Sequence, residues 1–192
     1  MKKIILTVAA VFALSFANAQ DKKEGSEGLA KGDLVLLGSF GISNSKDASG
    51  VKTDGLTIAP GLGYMIDSNW ALLGQVAYTS STVANDKTSG VGIGAGVRYF
   101  WTPASKFSLS LGGELAYTTA KNDATDVKVN TIGFNVPVGL HYFVSNDFAI
   151  TSTWGGLSYS SSKADFTGAE AATSLGLGIN MSSISFGLLY KL

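Results

Sequence analysis

The chain has no cysteine, one histidine and three prolines, and its formal net charge is zero over 192 residues. Without cysteine there is no disulfide framework, thiolate metal site or cysteine nucleophile. One imidazole, His141, excludes a multi-histidine metal centre, so neither metal nor cofactor is expected. Balanced charge gives no basic excess for nucleic acid, which is not expected as a partner. What the sequence has in abundance is glycine, 24 residues, about an eighth of the chain where roughly 7% is usual. Hydrophobic residues reach 45%, too many for a disordered polymer.

Lys2 and Lys3 precede an apolar run from Ile4 to Phe16, and Ala17-Asn18-Ala19 supplies a small-x-small cleavage site. A region of thirteen residues falls short of the about 20 a membrane helix needs. Residues 1–19 are therefore expected to be a secretory signal, with Gln20 opening the mature chain. Removing Lys2 and Lys3 leaves 12 basic against 14 acidic side chains, a net of −2. Residues 20–32 are charged and lack an apolar period, which predicts a flexible periplasmic leader. From Asp33 to Leu192 the texture is uniform, so residues 33–192 are expected to form one domain.

That domain alternates. Leu34, Leu36, Phe40 and Ile42 share one parity, as do Leu56, Ile58, Leu62, Tyr64 and Ile66, then Trp70, Leu72, Val76 and Tyr78. Val91 to Trp101, Phe107 to Tyr117 and Ile132 to Tyr142 continue the period of two. The seventh segment slips phase near Gly155-Gly156 and the eighth near Ser182-Ser183; each slip predicts a bulge. Period-two alternation over eight segments predicts strands and no helix. Turns at 67–69, 102–106 and 145–147 are short, whereas 44–54, 80–89, 119–127 and 160–171 read as longer polar loops. Of the 26 mature charged residues, only Arg98, Glu114 and Lys191 fall within the segments, all three on the small-residue parity. A soluble lipocalin-like binder also alternates, with its apolar face inside. Three features favour the opposite sense. The second parity is mostly Gly, Ser, Ala and Thr, a poor face for water. No insert is available to close a ligand cavity. And aromatic residues gather at two levels of the apolar parity: Tyr64, Trp70, Tyr99, Phe107, Tyr142, Phe148 and Tyr190 by the short turns, and Phe40, Tyr78, Tyr117 and Trp154 toward the loops. Ten strand steps from Phe107 to Tyr117 span roughly 33 Å. A tilt of about 40° reduces this to roughly 25 Å, the height of an outer-membrane apolar band.

Gly61, Gly96, Gly139 and Gly187 each precede a tyrosine by three positions: Tyr64, Tyr99, Tyr142 and Tyr190. Three steps reverse the face, so each glycine is expected in the lumen and each tyrosine at the lipid interface. Gly92 and Gly94 extend the lumenal glycine stripe. The terminal Ser185-Phe186-Gly187-Leu188-Leu189-Tyr190-Lys191-Leu192 resembles the β-signal of outer-membrane barrels, a polar-x-Gly-x-x-aromatic-x-aromatic pattern; Leu192 stands where that pattern usually ends in Phe. Together with the signal peptide, eight segments and turn alternation, this terminus is similar to the small OmpA/OmpX-type outer-membrane β-barrel family. The resemblance implies an eight-stranded antiparallel up-and-down transmembrane β-barrel in the bacterial outer membrane, both termini periplasmic. Outer-membrane lipid is the implied surrounding and the barrel assembly machinery the partner during biogenesis. No periplasmic peptidoglycan-binding domain is expected after Leu192.

Within that frame, Arg98 and Glu114 face the lumen of adjacent strands and predict an ion pair that plugs a sealed barrel; a selectivity charge in a small passive pore is the alternative. Counting from the 102–106 turn sets Glu114 about four residues farther along than Arg98. Lys191 joins them on the lumenal face. His141 points inward beside a periplasmic turn, with Ser145 and Asp147 in ordinary turn roles, so a lipid-modifying catalytic site is not expected. The glycine run from Gly90 to Gly96 lacks the following helix that a nucleotide loop requires. Pro60 and Pro137 lie inside strands and cannot donate to a ladder, which predicts bulges or strand ends there. Loop acids such as Asp47, Asp86, Asp126 and Glu170 show no calcium-loop spacing. The expected function is non-enzymatic: a structural or surface-interaction barrel presenting four polar extracellular loops, whose extracellular partner the sequence does not name.

Overall fold

Alternation with a period of two places one parity of each strand on one face, and with eight such segments in succession the sheet can close on itself. A computed structural model describes residues 28–101, 106–178 and 185–192. The signal sequence over 1–19, the leader residues 20–27, the turn at 102–105, the phase slip near Ser182-Ser183 and the side chains of Trp154 and Phe186 lie outside the described residues.

Among the described residues every regular element is a strand: β1 (Leu34–Lys46), β2 (Lys52–Met65), β3 (Trp70–Val83), β4 (Asp86–Trp101), β5 (Phe107–Asn122), β6 (Lys128–Phe143), β7 (Phe148–Ala164), β8 (Ala171–Gly178) and β9 (Ser185–Lys191). Each pairs antiparallel with its sequence neighbour from β1 through β8, and β9 pairs with both β1 and β7. β9 runs beside the first half of β7, from Phe148↔Tyr190 to Thr153↔Ser185. β8 runs beside the second half, from Gly156↔Gly178 to Lys163↔Ala171. The two pieces are one broken eighth strand, and the result is a closed eight-stranded antiparallel barrel.

The apolar parity faces out. Ile93, Leu109 and Leu188 are 64%, 40% and 54% exposed, while Ser108 and Ser110 on the opposite parity of β5 are at 0% and 1%. Large side chains outside and small ones inside are what a narrow barrel in lipid requires, because eight strands leave room only for a few side chains at the axis.

The phase slip in β7 is a bulge: Val138 pairs with Trp154 and Pro137 with Gly156, leaving Gly155 unopposed. Pro137 cannot donate a ladder hydrogen bond, so an interruption there costs nothing further. Pro60 is handled differently: the β2–β3 ladder skips from Ile58↔Tyr78 to Gly61↔Gln75 without a change of register.

The polar loops are shorter than the sequence predicts. β3 and β4 continue through 80–89 to a two-residue turn at Ala84 and Asn85, with Val83 opposite Asp86 and Ala84 at φ 55°. The other connections at that end shrink to 47–51, 123–127 and 165–170. Ser, Thr and Lys alternation carries no apolar signal, yet the backbone still pairs, so the strands run on past the apolar band.

Candidate functional site

The interior is built in layers, starting from the short-turn end. Leu29, Val35, Met65, Ala71, Phe100, Phe143, Ala149 and Leu189 form a core no more than 2% exposed. Leu29 belongs to the segment read as a flexible leader. Gly32 donates to the Met65 carbonyl and Met65 to that of Asp33, so the chain folds under the barrel before β1 begins. Lys191 anchors it: its Nζ donates to the Gly28 carbonyl at 3.1 Å and stands 3.8 Å from Asp33 Oδ2. This buried lysine therefore holds the N-terminal segment against the last strand.

Polar groups enter this layer in pairs. His141 Nε2 and Ser110 Oγ are 2.8 Å apart, both side chains essentially unexposed. The Phe100 ring lies 5.0 Å from the imidazole, tilted 54°. Gly139 makes this contact possible: a Cβ there would stand 2.7 Å from Ser110 Oγ. His141 Nδ1 is buried without a hydrogen-bond partner among the described residues. The serine–histidine contact is sealed from solvent, and among the described residues no carboxylate orients the imidazole.

Above the core, Arg98 and Glu114 form an ion pair through Arg98 Nη2 and Glu114 Oε1. Register sets Arg98 opposite Gly112 and Glu114 opposite Gly96. The two are thus offset by two positions, not the four that counting from the turn suggests; the ladder, not turn length, fixes the offset. Both side chains are mostly buried, at 15% and 19% exposure. Glycine creates the space. A Cβ on Gly96 would come within 2.5 Å of the Gly113 carbonyl and 2.8 Å of Glu114 Cγ. Gly61, Gly94, Gly96 and Gly187 line, with Gln75, Arg98 and Glu114, a cavity of about 270 Å³. Gly92 lies one turn of the alternation farther out, and Gly139 sits below in the core layer.

Outside, the aromatic residues by the short turns pair across strands: Trp70 with Tyr99, Phe107 with Tyr142, and Phe148 with Tyr190. Trp70 and Tyr99 meet edge-to-face at 5.1 Å, and Tyr99 and Trp101 at 5.0 Å. Tyr64, Phe107 and Tyr142 remain about half exposed.

At the opposite end, Lys121 is hydrogen-bonded to Asp126 in the β5–β6 tip. That contact holds the Asp126 carboxyl below its ordinary value. A depressed carboxyl favours the folded tip above its unfolded pKa, and the contribution is lost as pH falls through the folded value. NMR titration of the Asp126 carboxyl is expected to give a midpoint below the about 3.9 of a free aspartate, with K121Q restoring it.

The family model described as outer membrane protein beta-barrel domain matches residues 73–188, more than half of the chain. No curated protein matches. Among solved structures, the crystal structure of Neisserial surface protein A is similar over 85% of this chain and 99% of that one, with TM-score 0.51 and 20% identity. The outer membrane protein OprG from Pseudomonas aeruginosa is similar over 86% and 98%, with TM-score 0.50 and 14% identity. At such identities these likenesses speak for the fold.

Proposed function

The chain belongs to the outer membrane protein beta-barrel domain family and resides in the bacterial outer membrane, and from that premise we propose that it is a sealed, non-enzymatic barrel that displays four polar hairpin tips at the cell surface. The observation that supports this reading is the layer of Phe100, Phe143, Met65 and Leu189, each no more than 1% exposed, with the Arg98–Glu114 pair above it. A continuous water path would have to displace these buried aromatic and aliphatic side chains. The termini and the short turns face the periplasm, and the tips are the surface on which any extracellular partner would act. Biogenesis through the barrel assembly machinery fits the Gly187–Tyr190 pattern in β9.

A small passive pore is the second reading, favoured by the cavity of about 270 Å³ beside Arg98 and Glu114. Planar-bilayer recording separates the two. The purified barrel is expected to give no reproducible open events, and F100A/F143A, which removes the plug, is expected to create them. Steady unitary conductance of the unaltered protein, abolished by enlarging Gly94 or Gly96, would establish the pore instead.

A further inference from the structure

The interior above the Arg98–Glu114 pair differs from the interior below it. The inward parity of β2, β3 and β5 carries Thr57, Gln75, Thr79, Ser81 and Thr118 toward the hairpin tips, and all five residues are exposed. On the same parity of the same strands at the short-turn end, Met65, Ala71 and Ser108 are buried. A residue that points to the axis and still meets solvent lines an open space. The barrel therefore holds a well, open at the tips and closed beneath.

Glycine on β4 gives the well its width. A Cβ on Gly90 would stand 3.0 Å from Thr79 Oγ1, one on Gly92 2.7 Å from Thr118 Cγ2, and one on Gly94 3.1 Å from Gln75 Cγ. Side chains of β3 and β5 thus lean over a strand that presents none of its own there.

At the bottom of the well lies the cavity of about 270 Å³, just under the roughly 300–1,000 Å³ of sites for drug-sized ligands, which sets the size of what fits. Its lining sets apolar surface (Leu73, Pro137) beside hydroxyls (Ser39, Thr151) and the longer polar side chains of Gln75 and Glu114. The Gln75 amide makes no hydrogen bond among the described residues. Glu114 accepts from Arg98 through Oε1, and its Oε2 has no partner among the described residues. The two charges of the lining, Arg98 and Glu114, belong to one pair, so the site is neutral. An ion would find no free counter-charge, and a zwitterion could reach both charges only by splitting them. A neutral ligand with several hydroxyls faces neither cost. Glu114 Oε2 accepts, and the Gln75 amide and the Ser and Thr hydroxyls both donate and accept. The C–H faces of such a ligand cover Leu73 and Pro137.

We propose that this well binds a small neutral polyol of monosaccharide size from the cell exterior, held between Gln75 and Glu114. The inference takes the packed layer beneath Arg98 as the floor of the site and so rests on the sealed reading. It adds a recognition site inside the barrel to the surface of the tips.

The test titrates the intact isotope-labelled barrel with glucose in dodecylphosphocholine micelles, which carry no sugar, and follows backbone amides by NMR. The Thr79 and Gly94 amides are expected to shift with a Kd of about 2 mM, the affinity of about a dozen heavy atoms at ordinary ligand efficiency. Amides at the tips, such as Phe166, are expected to stay fixed. Q75L keeps the volume and removes the amide, and is expected to weaken binding about tenfold. Free glycine, a zwitterion, is expected to leave Thr79 and Gly94 unmoved. Silence of these amides toward glucose overturns the proposal, as does equal affinity in Q75L or a stronger response to free glycine than to glucose. Should Q75L not fold, the response of the unaltered barrel to the two solutes decides alone. Binding is read at equilibrium without a gradient, so a failed seal shows as planar-bilayer conductance and a failed site as silent amides.

Discussion

Replacing Glu114 by alanine is expected to destabilise the barrel by about 3 kcal/mol, because it leaves the Arg98 guanidinium uncompensated in the lumen. Arg98 and Glu114 are each other's partners across the β4–β5 ladder, and both side chains are mostly removed from water. Arg98 Nε already lacks a hydrogen-bond partner among the described residues, so little else nearby can take over the lost contact. Breaking one half of a buried pair costs about 3–5 kcal/mol; the remaining exposure of these groups argues for the lower end. The double substitution R98M/E114L removes both charges at similar volume and is expected to recover most of the loss. Urea unfolding in detergent micelles, followed by tryptophan fluorescence, measures both variants. An E114A barrel within about 1 kcal/mol of the original would mean that water screens the pair, and the plug reading would lose its central layer.

A larger effect is expected at Gly156. Its φ is +128°, a region in which a side chain costs on the order of 1–3 kcal/mol. The substitution also meets matter: a Cβ there would stand 2.0 Å from the Val136 carbonyl oxygen. Gly156 lies opposite Pro137, beside the unopposed Gly155, so the bulge can relax only by breaking the β6–β7 ladder. G156A is therefore expected to refold with little or no native yield. Gly74, where an added Cβ meets nothing within 4 Å, provides the comparison, and G74A is expected to refold like the unaltered chain. The folded band on unheated gels, which shifts on boiling, reports the yield. Equal yields for G156A and G74A would place the bulge elsewhere.

These two sites differ in how far the sequence reveals them. The Gly155-Gly156 slip is visible as a change of parity, since a bulge is the one local event that moves every later side chain to the other face. The Arg98–Glu114 pair is visible as two charges of opposite sign on lumenal parity, but its offset is not. Register is set by hydrogen bonding along the whole β4–β5 ladder, and counting from the turn gives four positions where the ladder gives two. Leu29 was illegible for another reason: it stands alone among charged and small residues, without any period, and its burial depends on the pocket that Met65, Phe100 and Leu189 create together. The hairpin ends beyond the apolar band escaped a pattern reading because both their faces are polar.

The amino-acid sequence by itself determined which side chains face acyl chains and which face the axis, because alternation is a property of the extended backbone and needs no partner. It determined the eight crossings and the aromatic level at the short-turn end by the same means. Tertiary structure alone decided the stagger between strands, the closure of the interior by Leu29, Phe100, Phe143 and the His141–Ser110 contact, and the height at which the strands end. Each of these depends on groups far apart in the chain meeting across a ladder, and the free energy of such a meeting is written in no single segment.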